Sequence, residues 1–151
     1  SDGKSSKLYK KIVDDKKMAL QIGAFNYSLE DYGMYILYGL PMGTNTSADL
    51  LKEIDEEIVK IQTELISEKD FQKLQNKFDN NFVNANASVE GIAENLATYY
   101  LLYKDVNLIN TEIELLHSIT REEIREVAKK YLNPNQRLVL DYVPSKEKAQ
   151  N

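Results

Sequence analysis

The sequence predicts an α+β fold in which an antiparallel sheet carries helices packed on one face. Three observations predict it. Two β-type runs, residues 18–27 and 33–40, lie close together near the start. A series of segments with apolar residues at helical spacing follows, and a last β-rich run returns at residues 137–143.

The first element precedes the strands. Leu8, Tyr9, Ile12 and Val13 recur at helical spacing between lysines and aspartates, which predicts a short amphipathic helix over residues 7–17. The period then changes, since Leu20, Ile22 and Ala24 alternate with Gln21, Gly23 and Phe25, and Tyr35, Ile36, Leu37 and Tyr38 form a second β-type run. Residues 28–32 join the two runs as an antiparallel hairpin. Pro41, Gly43 and Asn45 mark a loop, and a long helix entered through Thr46 or Ser47 carries Leu50, Leu51, Ile54, Ile58, Ile61 and Leu65.

Ser67 and Asp70 have the spacing of a capping box, so a second long helix starts there, with Phe71, Leu74, Phe78 and Phe82 along one face and a polar stretch over 80–88 after it. A third helix is expected over 89–104, burying Ile92, Leu96 and Tyr100, and a fourth over 108–117. Thr120 and Glu123 form a further capping box, with Ile119 placed to staple onto Ile124. The fifth helix should carry Ile124, Val127, Ala128 and Tyr131 inward and stop before Asn133-Pro134. Residues 1–144 are then one domain and 145–151 a frayed tail. A three-stranded sheet is narrow, so strand partners from outside the sequence are expected.

Composition excludes several functions. With 42% hydrophobic and 28% charged residues, the 151-residue chain can bury a core. Its 19 basic and 24 acidic side chains give a net charge of −5, with no basic run interleaved with aromatics, so no nucleic-acid partner is expected. No apolar run reaches the roughly 20 residues of a membrane-spanning helix, so no membrane span is expected. Cysteine is absent and His117 is the single histidine, so neither a two-histidine metal site nor a His-x-x-Glu-His motif can be assembled. No catalytic, cofactor-binding or metal-binding residue is therefore assigned. The absence of cysteine does not fix the redox compartment, and localisation stays open, with the bacterial periplasm and the cytoplasm as candidates for a soluble protein.

The residues that could suggest a site have simpler readings. His117 ends a helix, where the dipole favours a cation, and Glu122 and Glu123 occupy a helix's first turn for the same reason. Tyr99, Tyr100 and Tyr103 read as a core seam plus one exposed ring rather than a peptide-binding surface. Residues 14–17 and 53–57 read as solvated faces with local ion pairs. The triplets Asn45-Thr46-Ser47 and Asn86-Ala87-Ser88 match glycosylation sequons, which carry no meaning outside a eukaryotic secretory context.

Several segments in their order resemble the second domain of a pitrilysin/insulinase half-molecule. They are Gly3-Lys4-Ser5-Ser6-Lys7-Leu8-Tyr9 opening a helix, Ala19 starting a strand and Asp31-Tyr32-Gly33 before the next strand. Ile66-Ser67-Glu68-Lys69-Asp70-Phe71, Ile119-Thr120-Arg121-Glu122-Glu123-Ile124 and Val127-Ala128-Lys129-Lys130-Tyr131-Leu132 complete the set. The resemblance implies the C-terminal, inactive domain of a zinc metalloendopeptidase, part of the wall of a chamber that admits unfolded peptides. Zinc, held by two histidines and a glutamate, then belongs to the preceding domain, and the implied partners are that domain, a second homologous half and unfolded peptide substrates.

The resemblance also implies that the first strand and helix of this domain precede Gly3. In the family, an Arg and a Tyr seven positions on hold the substrate carbonyl in the half facing the zinc. Val13 and Leu20 occupy those positions here and cannot donate a hydrogen bond. Both are expected to be buried, and the domain then belongs to the zinc-bearing half or to a homologue without peptidase activity. An inactive scaffold subunit, like the peptidase-derived core proteins of respiratory complexes, is the alternative. An unrelated helical interaction module, recognisable by an exposed apolar groove, is the third.

Overall fold

A computed structural model describes residues 3–142. The element order is a π-helix (Tyr9–Asp15), β1 (Ala19–Ser28), β2 (Gly33–Pro41), α1 (Ser47–Thr63), α2 (Glu68–Ala85), α3 (Val89–Tyr103), α4 (Leu108–Ser118), α5 (Arg121–Tyr131) and a 3-10 turn (Pro134–Gln136). The chain is α+β, as its periodicity predicts, and divides into two compact units. One comprises residues 1–27, 34–58 and 130–151; the other comprises 28–33 and 59–129.

In the first unit the helical segment at the start is wound one residue wider than an α-helix, with the Lys16 N–H donating to Lys11 O at 3.0 Å. Lys17 then turns the chain in a left-handed conformation (φ 53°), which lets the Met18 N–H reach back to Ile12 O at 2.9 Å. This compact stop delivers Ala19 straight into β1. Ile12, Ala19, Ile22, Leu50 and Ile54 form the core, with Leu8, Tyr9, Val13, Met18, Leu37 and Ile58 packed around it. Helix α1 lies on the sheet closely enough that a Cβ on Gly39 would sit 3.1 Å from Leu50 Cδ1.

The other face of the hairpin is built differently. The Tyr38 ring covers Gly23, where an added Cβ would meet it at 2.6–2.7 Å, and Phe25 packs edge-on to the same ring with centroids 6.3 Å apart. Gln21 donates to the Tyr38 hydroxyl at 3.3 Å. The hairpin closes through Leu29 N–H donating to Tyr32 O at 2.8 Å.

Among the described residues the sheet has two strands, β1 and β2, rather than the three expected. Among the described residues, 137–142 run without forming a strand, and Val143 lies outside them. A strand exists only through a hydrogen-bonded neighbour, and no β partner lies alongside this run. Its root is fixed nonetheless: Arg137 makes a bidentate pair with Asp55, with Nη2 donating to Oδ2 at 3.0 Å and Nη1 to Oδ1.

The two aliphatic positions behave differently from each other. Val13 is half-buried and packs on the core, as expected. Leu20 does not: its side chain is 57% exposed. Ala19 takes the place in the core beside Ile12, and the burial of β1 does not alternate: Leu20 and Gln21 are exposed and Ile22, Gly23 and Ala24 are buried in succession. Val13→Ala is expected to cost about 1–2 kcal/mol and Leu20→Ala less than about 0.5 kcal/mol, read from urea unfolding midpoints.

In the second unit α2, α3 and α4 pack on one another. Ser67 caps α2 by accepting from Asp70 N–H at 3.1 Å and donating to Asp70 Oδ2 at 2.7 Å. Thr120 and Glu123 close α5 in the same way, with the Thr120 N–H donating to Glu123 Oε2 at 2.8 Å and the Glu123 N–H to Thr120 Oγ1 at 3.2 Å. Thr46 and Asp49 make an equivalent pair at α1. Helix α2 continues through Asn80 and Asn81 to Ala85, past the point where its polar composition suggested an end. Packing against α4 overrides the weak helix propensity of asparagine.

Candidate functional site

A network of ion pairs lies in the first unit, between the π-helix and α1. Glu53, Glu56 and Glu57 sit three and four residues apart on α1, so their carboxylates converge on one side of the helix. Lys11 reaches all three, with Nζ 3.0 Å from Glu53 Oε2, 2.9 Å from Glu56 Oε2 and 3.0 Å from Glu57 Oε1. Lys16 Nζ donates to the other Glu53 oxygen at 2.5 Å. Glu53 is only 8% exposed. Residues 53–57 are therefore not a merely solvated face with local pairs: their partners come from a different element, about 40 positions earlier in the chain.

The electrostatics follow from this packing. Burial alone would lower the Lys11 pKa, but the hydrogen bonds to Glu56, Glu53 and Glu57 outweigh it and hold the ammonium above the usual lysine range. The hydrogen bonds from Lys16 and Lys11 hold the Glu53 carboxyl below its ordinary range against the opposing effect of burial. A depressed carboxyl pKa stabilises the fold above the unfolded-state value, and that contribution is lost as pH falls through the folded-state value. The raised lysine pKa contributes below the unfolded-state value and is lost as pH rises through the folded one. Stability should thus fall from about pH 5 to pH 3 more steeply in the native protein than in Glu53→Gln, as measured by urea midpoints across that range. The arrangement clamps the π-helix to α1. It has no nucleophile and leaves no carboxylate free to act as a base.

The second unit holds the remaining residues weighed from the sequence. His117 lies in the last turn of α4, as expected, and its Nε2 is 2.6 Å from Asp79 Oδ1 on α2. The contact ties two helices together. Glu122 and Glu123 occupy the first turn of α5, and Glu123 is held by Thr120. The tyrosines differ from expectation. Tyr99 is the buried ring, at 8% exposure, and donates to Glu112 on α4. Burial, then the Glu112 hydrogen bond, pushes its hydroxyl pKa up to about 12.

Tyr100 and Tyr103 are both largely exposed, as are Val127 and Tyr131 on α5, while Ala128 is buried. The inward face of α3 is thus rotated by one residue from the one read in the sequence. Ile92 is exposed and Leu96 half-buried. The structure therefore does not gather His117, the α5 glutamates and the tyrosine cluster into one catalytic arrangement. Among the described residues no group of three His, Cys, Asp or Glu is placed to hold a metal ion, and no helix is long and apolar enough to cross a membrane. The zinc set implied by the resemblance, two histidines and a glutamate, does not fit these residues. The one imidazole is tied to Asp79, and the clustered glutamates are occupied by lysines.

Known structures share this fold. A protease from Helicobacter pylori superposes with a TM-score of 0.81 at 23% identity, over 89% of this chain and 32% of its own. The inactive peptidase domain of a Bordetella parapertussis protein assigned as a zinc protease gives 0.84 at 16% identity, over 99% and 79%. The periplasmic protease PqqL from Escherichia coli gives 0.68 at 20% identity, over 83% and 14%. The chain thus spans about a third of the Helicobacter protease. No curated protein sequence matches significantly. The model of the peptidase M16 inactive domain matches residues 1–78, more than half of the 151. This chain belongs to the peptidase M16 inactive-domain family, in agreement with the pitrilysin-type resemblance of its sequence.

Proposed function

We propose that this chain is the non-catalytic C-terminal domain of a zinc-dependent metalloendopeptidase and forms part of the wall of a chamber that degrades unfolded peptides. The observation that carries the reading is the inactive-domain family match over residues 1–78. The composition supports it, since one histidine and no cysteine cannot supply a hydrolytic zinc centre. Zinc would be held by two histidines and a glutamate of the preceding domain, where it would supply Lewis-acid activation of a bound water. This domain contributes shape and assembly surface, and a second homologous half closes the chamber.

Val13 and Leu20 refine the assignment. Neither can hold a substrate carbonyl, so in an active assembly the clamp comes from the opposite half. The same two residues are what a scaffold subunit without peptidase activity would carry, and a His-x-x-Glu-His motif in the parent polypeptide separates the two readings. Calorimetric zinc titration of the untagged chain tests the assignment. No stoichiometric binding is expected, and one tight site per chain would overturn it.

A further inference from the structure

One face of α2 is basic in a chain whose net charge is −5. Lys69, Lys73 and Lys77 follow one another at four-residue steps, as do Gln72, Asn76 and Asn80, and the six side chains line one shallow groove. All are exposed except Lys77, which is half-buried. A face that packs into a core is apolar, whereas every residue lining this one is polar.

The carboxylates of the same helix are drawn elsewhere. Asp70 is held in the cap by Ser67, Glu68 lies 3.4 Å from Arg121 on α5, and Asp79 lies against His117 on α4. The groove itself holds no acid, and ion pairs at a helix surface are weak enough to exchange for a ligand carboxylate.

The spacing selects a ligand. Four residues of a helix rise about 6 Å, and two residues of an extended peptide span about 6.6 Å. Acidic side chains at alternate positions of an extended peptide therefore meet successive lysines, and the flexible lysine stems absorb the small mismatch. The same register carries the peptide backbone past Gln72, Asn76 and Asn80, whose carboxamides each combine donors and an acceptor, as a peptide group does. Gln72 Nε2 donates to Asn76 Oδ1 at 3.0 Å, which holds two of these carboxamides in line while using one donor of the first and one lone pair of the second. Nucleic acid suits the groove less, because no aromatic ring lines it for bases to stack on.

We infer that α2 binds an extended acidic peptide, with carboxylates at alternate positions on Lys69, Lys73 and Lys77 and the peptide backbone along Gln72, Asn76 and Asn80. This inference does not rest on the peptidase reading.

Fluorescence anisotropy of a labelled peptide alternating glutamate and threonine, titrated with the full chain at low ionic strength, tests it. A peptide of the same composition with its glutamates in one block is the comparison. The native chain should bind the alternating peptide about fivefold more tightly than the blocked one. Lys69→Glu places an acid in the first turn, where it favours the helix, and should weaken binding about tenfold with unchanged circular dichroism. Asn76→Ala should weaken it about threefold. Lys52→Glu, an equal change of net charge at an exposed position of α1, should leave binding within about twofold of native. Absence of binding to the alternating peptide overturns the proposal, as does equal binding of the two peptides. So does a loss on Lys52→Glu as large as on Lys69→Glu, or tighter binding of an oligothymidylate than of the alternating peptide.

Discussion

Gly91→Ala is expected to destabilise the second unit by on the order of 2–4 kcal/mol, although alanine is intrinsically the better helix former by about 1 kcal/mol. The reason is local. A Cβ on Gly91 would stand 2.1 Å from Ala85 O, and that atom belongs to the backbone at the end of α2 rather than to a side chain that could swing aside. The corner between α2 and α3 is also densely bonded. The Gly91 N–H donates to the capping Ser88 hydroxyl at 3.0 Å, Asn86 Nδ2 donates to Phe82 O at 2.9 Å, and Asn95 Nδ2 donates to Asn86 Oδ1 at 3.1 Å. Relieving the clash moves the first turn of α3 and breaks this set. Thermal and urea unfolding measure the effect, and a variant as stable as the native protein would contradict the account.

Ile12→Ala should have a comparable effect on the first unit, about 2–5 kcal/mol. Ile12 is fully buried and is the central member of the cluster with Ala19, Ile22, Leu50 and Ile54. It sits on a π-helix whose ends are fixed, by the Lys11 and Lys16 pairs to α1 and by the Met18 N–H to Ile12 O, so the backbone cannot collapse into the cavity. Little of the lost packing is recovered under such restraint, which places the expected loss in the upper part of that range. Unfolding midpoints in urea check it. A loss below about 1 kcal/mol would show that the π-helix relaxes freely onto the sheet.

The legibility of these features follows from their range along the chain. Ser67 with Asp70 and Thr120 with Glu123 were readable because a capping box is complete within four residues, and both form as the spacing dictates. The hairpin was readable from its change of period. The burial of Glu53 was not, because it depends on Lys11 and Lys16 arriving from a distant segment, and nothing in Glu-Ile-Asp-Glu-Glu announces a buried carboxylate. The choice between Tyr99 and Tyr100 turns on a one-residue rotation of an almost wholly apolar helix end. The deciding partner, Glu112, lies on the next helix. Leu20 failed for a related reason: alternation predicts which residues share a face but not where along the strand the covering helix begins. The run 137–142 has strand composition and lacks a strand neighbour, which composition cannot supply.

The proposed function requires that this M16 inactive domain act in company with a zinc-bearing half. The most direct measurement is turnover of an unstructured fluorogenic peptide by the parent's zinc-binding domain, with and without this chain, before and after zinc chelation. The account predicts no turnover by this chain alone, at least a tenfold gain when it is added to the zinc-binding domain, and loss of all activity on chelation, about 1.4 kcal/mol or more of transition-state stabilisation contributed by assembly. Zinc-dependent cleavage by this chain alone, or a zinc-binding domain indifferent to its presence, would contradict it.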